Sequence, residues 1–162
     1  MDRLWTPWRY RYVSTAGPTT ACIFCEKAAS SDDRGNYVVL RAERNFIILN
    51  LYPYTTGHLM IVPYEHVDSL GGASQETLQE MMRLTTRAEK ALRQVYKPDG
   101  LNIGMNIGES AGAGVAGHIH MHVLPRWTGD GSFMTTVSET RVLPETLETT
   151  YDRVKAALSA IE

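Results

Sequence analysis

The sequence predicts one α+β domain in which short strands and two helices share a single core. Segments with the period-two alternation of strands lie on both sides of a longer segment with helical spacing, and a second helical segment lies near the C-terminus. A chain of 162 residues with 43% hydrophobic and 21% charged residues has an ordinary globular composition and is long enough for one buried core. We therefore expect one domain rather than two.

Composition and charge exclude several classes of function. A formal net charge of -2 and a sequence pI near 6.2 provide no basic surface for duplex nucleic acid, although a small phosphorylated ligand could still bind locally. No apolar run approaches the roughly 18 residues of a membrane helix, and the polar N-terminus lacks the apolar segment of a signal peptide. We therefore expect a cytoplasmic protein with no nucleic acid and no membrane among its partners.

The first half of the chain predicts three strands. Residues 37–41 and 45–51 are rich in valine, isoleucine and leucine and predict a β-hairpin, and Leu59–Pro63 predicts a third strand. Turn-forming residues connect the second and third strands over 50–58. The segment 1–20 mixes aromatic residues with arginines, and it predicts an arm that packs across another subunit or covers an edge of the domain.

A long helix and a fourth strand follow. Ser74 is a predicted N-cap, and Glu76 suits the first turn of a helix. The residues that recur at helical spacing and form the apolar side of this helix are Leu78, Met81, Met82, Thr85, Ala88, Leu92 and Val95. The two methionines among them are most simply core residues. The sequence Pro-Asp-Gly ends this helix, residues 101–107 alternate as a strand, and residues 144–161 predict the amphipathic second helix.

The most informative stretch is 117–127, where His118, His120 and His122 alternate with apolar residues. Period-two alternation predicts a half-buried strand that places the three imidazoles on one face. The opposite face would contact the core through three apolar residues: Ile119, Met121 and Val123. If the strand were purely structural, valine or threonine would be expected at these three positions instead of titratable histidines. We therefore favour a functional site. The glycine-rich loop 108–117 directly precedes the histidines, and its backbone N–H groups could approach an anion.

Cys22 and Cys25 are the only cysteines and form a C-x-x-C pair. That spacing is typical of metal binding or redox chemistry rather than of a structural disulfide. The redox interpretation requires a strand-to-helix context that the surrounding sequence does not show, whereas a tetrahedral zinc site requires two further ligands. Because the chain has only five histidines, His58 and His66 also become candidates for a functional role.

These motifs resemble those of the histidine-triad (HIT) family of nucleotide hydrolases and transferases. The resemblance rests on the H-x-H-x-H motif, the segments 50–58 and 106–108 and the cysteine pair, and it extends from about residue 22 to residue 126. It implies a HIT-like α+β fold with a five-stranded antiparallel sheet, a long helix and a C-terminal helix. It also implies a homodimer whose two sheets form one continuous sheet. The single domain, 1–162, would consist of an N-terminal arm (1–20), a motif-bearing core (22–127) and a C-terminal extension (128–162).

By this resemblance His120 is the nucleophile that attacks the α-phosphate of a nucleotide and forms a nucleotidyl-histidine intermediate. A neutral imidazole, with an ordinary pKa of about 6.5, is available for this reaction at physiological pH. Its other nitrogen must be held as a donor, which the family achieves with the backbone carbonyl of the first histidine, His118. His122 and His58 match the family's supporting histidines. The predicted nucleotide-binding positions are Asn50 at the ribose, Asn106 near the phosphates, and Gly108, Gly114 and Val115 in the glycine-rich loop.

The cysteine pair is similar to that of a zinc-bearing subset of the family. The resemblance implies a structural zinc ion held by two cysteines and two histidines: Cys22, Cys25, His66 and His118. With this assignment both cysteines and all five histidines have one role each. The zinc site would connect the N-terminal segment to the residues beside the nucleophile.

Two departures from the hydrolase pattern concern the acceptor of the nucleotidyl group. Family hydrolases usually carry glutamine four residues before the first histidine, often followed by serine or threonine, whereas this chain has Gly114 and Val115. The segments 3–9 and 124–134 are similar to a bacterial branch that contains diadenosine tetraphosphate phosphorylases, although Trp127 would serve equally well as a core or interface aromatic. We therefore expect cleavage of dinucleoside polyphosphates at the α-phosphate, with phosphate or water as the acceptor.

Three alternatives stay open at this point: an adenosine phosphoramidate hydrolase, a nucleotide-binding protein without turnover, and a metal hydrolase. The metal hydrolase would use two histidines of the strand, with His58 or Glu109 completing an open zinc site. One ion does not reach all three strand histidines, because these positions span about 13 Å. Nucleotide release from a diadenosine polyphosphate, measured with and without EDTA, would separate these possibilities.

Overall fold

The structure is a computed structural model that describes residues 21–131 and 143–161. The predictions for the N-terminal arm 1–20 and for the segment 132–142 of the C-terminal extension lie outside the described residues. Within the described ranges, no helix is both long and apolar enough to span a bilayer.

The described residues form a five-stranded antiparallel sheet and three α-helices, which confirms the predicted α+β class. The strands are β1 Val38–Arg41, β2 Asn45–Leu49, β3 Leu59–Pro63, β4 Gly100–Gly104 and β5 Met121–Arg126. The helices are α1 Ile23–Ala29, α2 Gln75–Tyr96 and α3 Leu147–Ala160. The strand order is β1-β2-β3-β5-β4, so the strand that carries the last histidine lies inside the sheet, next to β3.

Both faces of the sheet are covered, and every residue of β2 and β3 is buried. The larger core cluster lies under α2 and α3 and includes alternate residues of these strands: Ile47, Leu49, Leu59 and Ile61. On the opposite face Phe24 of α1 packs with the remaining apolar residues: Val38, Phe46, Ile48, Met60 and Val62. The sheet therefore lies between α1 on one face and the two longer helices on the other.

Helix α2 begins at the predicted cap. The Ser74 side chain accepts a hydrogen bond from the Thr77 N–H group at 3.2 Å. Lys97, in the left-handed region with a φ of 46°, ends the helix. The buried face includes Met81 but not Met82, which is 54% exposed. The expectation that the methionines fill the core is therefore wrong for Met82, which lies one helical step outside the buried face.

The histidine stretch is only partly a β-strand. Strand β5 begins at Met121, because the preceding Ile119 N–H group donates to the Val67 carbonyl at 2.8 Å instead of joining the sheet. The predicted alternation of faces still holds, since Ile119 and Val123 are buried in the larger core cluster and Met121 packs against it. This hydrogen bond holds the chain against the segment that follows β3, where the His118 ring lies 5.1 Å from that of His66. The fourth strand ends at Gly104 rather than at residue 107.

A glycine fixes the turn directly before β3. Gly57 has a φ of +80°, a conformation that L side chains rarely adopt. A Cβ atom at this position would lie 2.8 Å from the Tyr96 ring and 3.1 Å from the Leu92 side chain. The turn that carries His58 can therefore approach α2 this closely only with glycine. The Tyr96 ring also contacts Trp127 edge-on, with ring centroids 6.3 Å apart, which gives Trp127 a packing contact.

Candidate active site and metal site

The sheet brings the five histidines into two adjacent groups. Antiparallel pairing of β3 with β5 places His122 beside His58, with ring centroids 5.0 Å apart. The His120 ring lies 4.8 Å from that of His122 and completes the first group. His66 and His118 join the two cysteines in the second group. Each group contains the residues that the sequence predicts to lie together, and the roles of the two groups stay predictions.

His120 is almost completely buried, with 4% of its surface exposed. Its Nδ1 atom lies 2.9 Å from the backbone carbonyl oxygen of His118. Because a carbonyl oxygen only accepts, Nδ1 carries the proton and Nε2 keeps its lone pair. Burial also lowers the pKa of His120 below its ordinary value, which favours the neutral ring. His120 thus has an unprotonated Nε2 atom, the form that a nucleophile requires.

His58 and His122 are joined by a hydrogen bond of 2.9 Å between Nε2 of the first and Nδ1 of the second. The backbone N–H group of Tyr54 donates to Nδ1 of His58 at 3.2 Å, and the Asn50 side-chain nitrogen lies 3.3 Å from the same atom. Nδ1 of His58 therefore has no proton, and its Nε2–H group donates to His122. The proton of His122 must then lie on its Nε2 atom. Burial, and secondarily the neighbouring His120, lowers the pKa of His122 to about 4, so this ring is neutral at physiological pH.

The two neighbouring rings consequently have opposite hydrogen-bonding character. His120 offers a lone pair at Nε2, whereas His122 offers an N–H group at Nε2. A lone pair beside a fixed donor suits a phosphoryl group, because the phosphorus needs a nucleophile and its charged oxygens need a donor.

The second group consists of Cys22, Cys25, His66 and His118, whose ligand atoms all lie within 4.8 Å of one another. The Sγ–Nδ1 distances are 3.3 Å for Cys22 to His118, 3.3 Å for Cys25 to His66 and 3.7 Å for Cys25 to His118. A tetrahedral zinc ion, with Zn–S bonds of about 2.3 Å and Zn–N bonds of about 2.0–2.1 Å, separates such atoms by about 3.5 Å. The four residues that the sequence predicts could therefore hold one metal ion.

Two further observations fit a cation at this cluster. Nε2 of His118 lies 2.9 Å from the Pro63 carbonyl oxygen, which leaves the Nδ1 lone pair facing the sulfur atoms. Burial, followed by the Cys22 thiol, raises the pKa of Cys25, so a nearby cation would be needed to hold the Cys25 sulfur as a thiolate. Among the described residues, this is the one set of three or more His, Cys, Asp or Glu side chains whose ligand atoms are placed to hold a single ion, so the open zinc site with His58 or Glu109 is not formed there.

The sequence did not reveal two aromatic residues that contact the histidines. Phe24, between the two cysteines, is 4% exposed, and its ring centroid lies 5.0 Å from that of His120. The Tyr54 ring packs against His58 at 5.0 Å and against His122 at 6.2 Å. Neither has a periodic signal, because α1 has only seven residues and the turn before β3 is irregular. The only sequence signal for these two aromatic residues is their position, since Phe24 lies between the two cysteines and Tyr54 lies four residues before His58.

The other predicted nucleotide-binding residues lie in the glycine-rich loop or, in the case of Asn106, just before it. Asn106 is half-buried and Gly114 is exposed. Val115 packs against the smaller core cluster. Gly108, with a φ of +83°, precedes a short 3-10 turn at Glu109–Ala111. Their roles depend on contacts with a ligand and stay predictions.

A family model described as the HIT domain matches residues 33–129, more than half of the chain. The chain is therefore a member of the histidine-triad family. It is also 39% identical over 158 residues to a protein of Mycobacterium tuberculosis named AP-4-A phosphorylase, and the match covers 93% of this chain and 80% of that relative.

Solved structures agree with the fold. A Zn-bound histidine triad family protein from Mycobacterium smegmatis is 33% identical, with a TM-score of 0.69, and the match covers 87% of this chain and 95% of that one. A hypothetical histidine triad nucleotide-binding protein from Sulfolobus tokodaii is 28% identical, with a TM-score of 0.69 and coverage of 86% and 93%. These similarities confirm the HIT-like sheet that the sequence predicts.

Proposed function

We propose that this protein cleaves dinucleoside polyphosphates, such as diadenosine tetraphosphate, at an α-phosphate through a nucleotidyl-histidine formed on His120. The observation that carries the proposal is the 2.9 Å hydrogen bond from Nδ1 of His120 to the His118 carbonyl, which leaves the Nε2 lone pair for attack. The 39% identity to the AP-4-A phosphorylase of Mycobacterium tuberculosis supports the class of substrate.

In the first step Nε2 of His120 forms a bond to the α-phosphorus. The bond from that phosphorus to the bridging oxygen of the polyphosphate breaks, and its electron pair leaves with the departing nucleotide. The Nε2–H group of His122 donates to a non-bridging oxygen, and the His118 carbonyl stabilises the positive charge of the substituted imidazole. In the second step an acceptor oxygen attacks the same phosphorus, the N–P bond breaks, and its electron pair returns to His120.

We propose inorganic phosphate as the preferred acceptor and water as the slower one. The exposed position 114 is glycine, so no side-chain amide is present there to orient a water molecule. Gly108 and Gly112 have φ values of +83° and +90°, which L side chains rarely adopt, and the absence of a Cβ atom at both positions lets the backbone of this loop approach a second anion. Phosphorolysis of diadenosine tetraphosphate would yield ADP and ATP, whereas hydrolysis would yield AMP and ATP.

We propose that the metal is zinc and that its role is structural. Two sulfur and two nitrogen ligands from the protein leave no open position for water or substrate. The cluster joins α1 to the residues just before β5, so the metal would add to the stability of the fold. The similarity to the Zn-bound protein from Mycobacterium smegmatis supports this choice.

We also propose a homodimer that extends the sheet through β4. This strand lies at the edge of the sheet, and the apolar side chains of Ile103 and Ile107 are 44% and 42% exposed. An exposed edge can pair with the same edge of a second copy. The chain would then act as one HIT domain over 1–162, and its thiol ligands favour a reducing compartment such as the cytoplasm.

The decisive experiment is to trap the intermediate with diadenosine tetraphosphate that is radiolabelled at the α-phosphates. Wild-type protein should acquire an acid-labile, base-stable label, and His120→Ala should acquire none. Turnover by the variant should fall at least about a thousandfold, while nucleotide affinity changes by no more than about tenfold. Label on the variant, or full activity, would contradict the covalent mechanism.

The same assay separates the alternative functions. Adenosine phosphoramidate turned over faster than any dinucleotide would favour a phosphoramidate hydrolase with the same intermediate. Binding without label or product would indicate a nucleotide-binding protein. Loss of turnover within seconds of adding EDTA, before the fold changes, would favour a metal hydrolase.

A further inference from the structure

We infer that Asn50 is a positioning residue for the His58–His122 pair, and that its amide determines which nitrogen of each ring carries the proton. The inference rests on the proposed function, because it concerns how His122 comes to present an N–H group to a phosphoryl oxygen. It differs from the role predicted by resemblance, in which Asn50 binds the ribose.

The hydrogen bonds around Asn50 fix the orientation of its side chain. Oδ1 accepts a hydrogen bond of 2.9 Å from the backbone N–H group of Tyr52. This assigns the oxygen to that side of the amide, so the nitrogen atom Nδ2 must face Nδ1 of His58, 3.3 Å away. The backbone N–H group of Asn50 also donates to the His58 carbonyl at 3.0 Å. Asn50 therefore holds both the side chain and the backbone of His58.

Two donors converge on Nδ1 of His58, namely the Asn50 amide and the Tyr54 N–H group at 3.2 Å. A proton on Nδ1 would face both of them, so the proton is confined to Nε2. The resulting donor, Nε2–H, meets Nδ1 of His122 at 2.9 Å and confines the proton of His122 to its own Nε2 atom. The donor at Asn50 thus determines which atom donates in the hydrogen bond between His58 and His122.

Burial increases the importance of this arrangement. His58 is 1% exposed, so water cannot replace a lost donor at Nδ1. The Tyr54 donor belongs to the backbone, and it depends on the turn that Asn50 closes through Tyr52. Removing the Asn50 amide would therefore weaken both donors, and His122 would present the correct tautomer for only part of the time.

Two variants separate positioning from ribose binding. Asn50→Asp keeps an oxygen acceptor for ribose hydroxyls but replaces the donor that faces His58 with a second acceptor. Asn50→Ala removes both functions. The matched control is Gln94→Glu, which makes the same amide-to-carboxylate change on the exposed side of α2.

Steady-state kinetics are measured with diadenosine tetraphosphate and with its analogue lacking the 2′ and 3′ hydroxyls. If Asn50 positions His58, both variants should lower kcat by about tenfold or more on both substrates, roughly the effect of one lost buried hydrogen bond. The Gln94→Glu control should behave as wild type. A defect confined to KM, or one that disappears with the deoxy analogue, would assign Asn50 to the ribose alone and overturn the inference.

A second readout does not depend on activity. Imidazole ¹⁵N NMR of the wild type should show His58 and His122 protonated at Nε2 only, and Asn50→Asp should shift the proton of His58 to Nδ1. Unchanged tautomers in a folded Asn50→Asp variant would overturn the inference. If the wild type turns over no nucleotide, the proposed function fails, whereas the NMR result still decides the role of Asn50.

Discussion

The two ends of the histidine stretch use the same side chain in opposite ways. At the first end both ring nitrogens of His118 are engaged, since Nδ1 faces the cysteine sulfurs and Nε2 donates to the Pro63 carbonyl. At the other end His120 and His122 each have Nδ1 fixed by a protein acceptor or donor, and no protein hydrogen bond to either Nε2 atom is found among the described residues. A histidine held at both nitrogens can support structure, whereas one held at a single nitrogen can also react.

The difference between the two ends also predicts which changes should affect folding and which should affect the reaction. The metal end connects distant segments, because Cys22 and His118 are 96 residues apart in the chain. The end that we propose to be catalytic is held by individual hydrogen bonds within one turn and one strand pair. Changes at the metal end should therefore act first on folding, and changes at the catalytic end first on protonation and rate.

The largest expected effect follows loss of a metal ligand. Cys22→Ser should reduce bound zinc from about one ion per chain and lower the melting temperature by about 10 °C or more, because metal binding contributes directly to folding. Protein that is still folded should retain most of its activity per molecule. Metal analysis and thermal melting test this, with Glu26→Ser as the control on the exposed side of the same helix. Equal melting temperatures for the two variants, or zinc-free wild-type protein, would contradict the assignment.

The next effect is a dependence of stability on pH at the catalytic end. Burial, and then the neighbouring His120 ring, lowers the pKa of His122 to about 4, below the ordinary value of 6.5. Between these two pH values the unfolded chain binds more protons than the folded one. The stability associated with neutral His122 is therefore fully present above about pH 6.5 and is lost as the pH falls toward 4, on the order of 2–3 kcal/mol.

Urea unfolding of wild type and His122→Gln at pH 7 and pH 4.5 measures this contribution. Both proteins carry the same metal ligands, so acid-induced loss of metal cancels in the comparison. The wild type should lose more stability on acidification than the variant. Equal losses in the two proteins would show that His122 does not titrate in this window.

A smaller effect is expected from the turn that carries His58. Gly57→Ala introduces a side chain at a φ of +80° and a Cβ atom 2.8 Å from the Tyr96 ring, which should cost about 1–3 kcal/mol of stability. Displacement of the adjacent His58 should also lower kcat. Gly71→Ala is the matched control, because a Cβ atom at that position would meet no other atom within 4 Å. Equal unfolding free energies and rates for the two variants would show that the turn tolerates a side chain.

Local signals in the sequence were sufficient for most of the fold. Strand Leu59–Pro63 and the Ser74 cap of α2 match their predictions, because apolar runs and capping side chains act on neighbouring residues. The start of β5 could not be predicted in the same way. It depends on the hydrogen bond from Ile119 to Val67, and the backbone carbonyl of a residue 52 positions earlier has no side-chain signal.

The site shows the same limit. The alternating histidines and the C-x-x-C pair have specific spacings, so the candidate ligands and the candidate nucleophile could be selected from the sequence. The state of each ring depends in part on backbone groups, namely the His118 carbonyl and the Tyr54 N–H group, and every non-proline residue possesses such groups. Phe24 looked like one more apolar residue, because its contact with His120 arises only when α1 packs on the sheet.

The smallest expected effect concerns the acceptor of the nucleotidyl group. It should follow a change in the glycine-rich loop 108–117, which precedes the histidine stretch. Water and phosphate compete for the same phosphorus once His120 carries the nucleotidyl group, and the outcome depends on which acceptor is positioned. Gly114→Gln supplies an amide that can orient water, so the AMP fraction of the products should rise about two- to fivefold at millimolar phosphate. Chromatographic separation of AMP and ADP measures the ratio, with Gly131→Gln in the exposed turn after β5 as the control. If phosphate changes neither the rate nor the AMP yield of the wild type, the phosphorylase proposal fails and a hydrolase with the same intermediate remains.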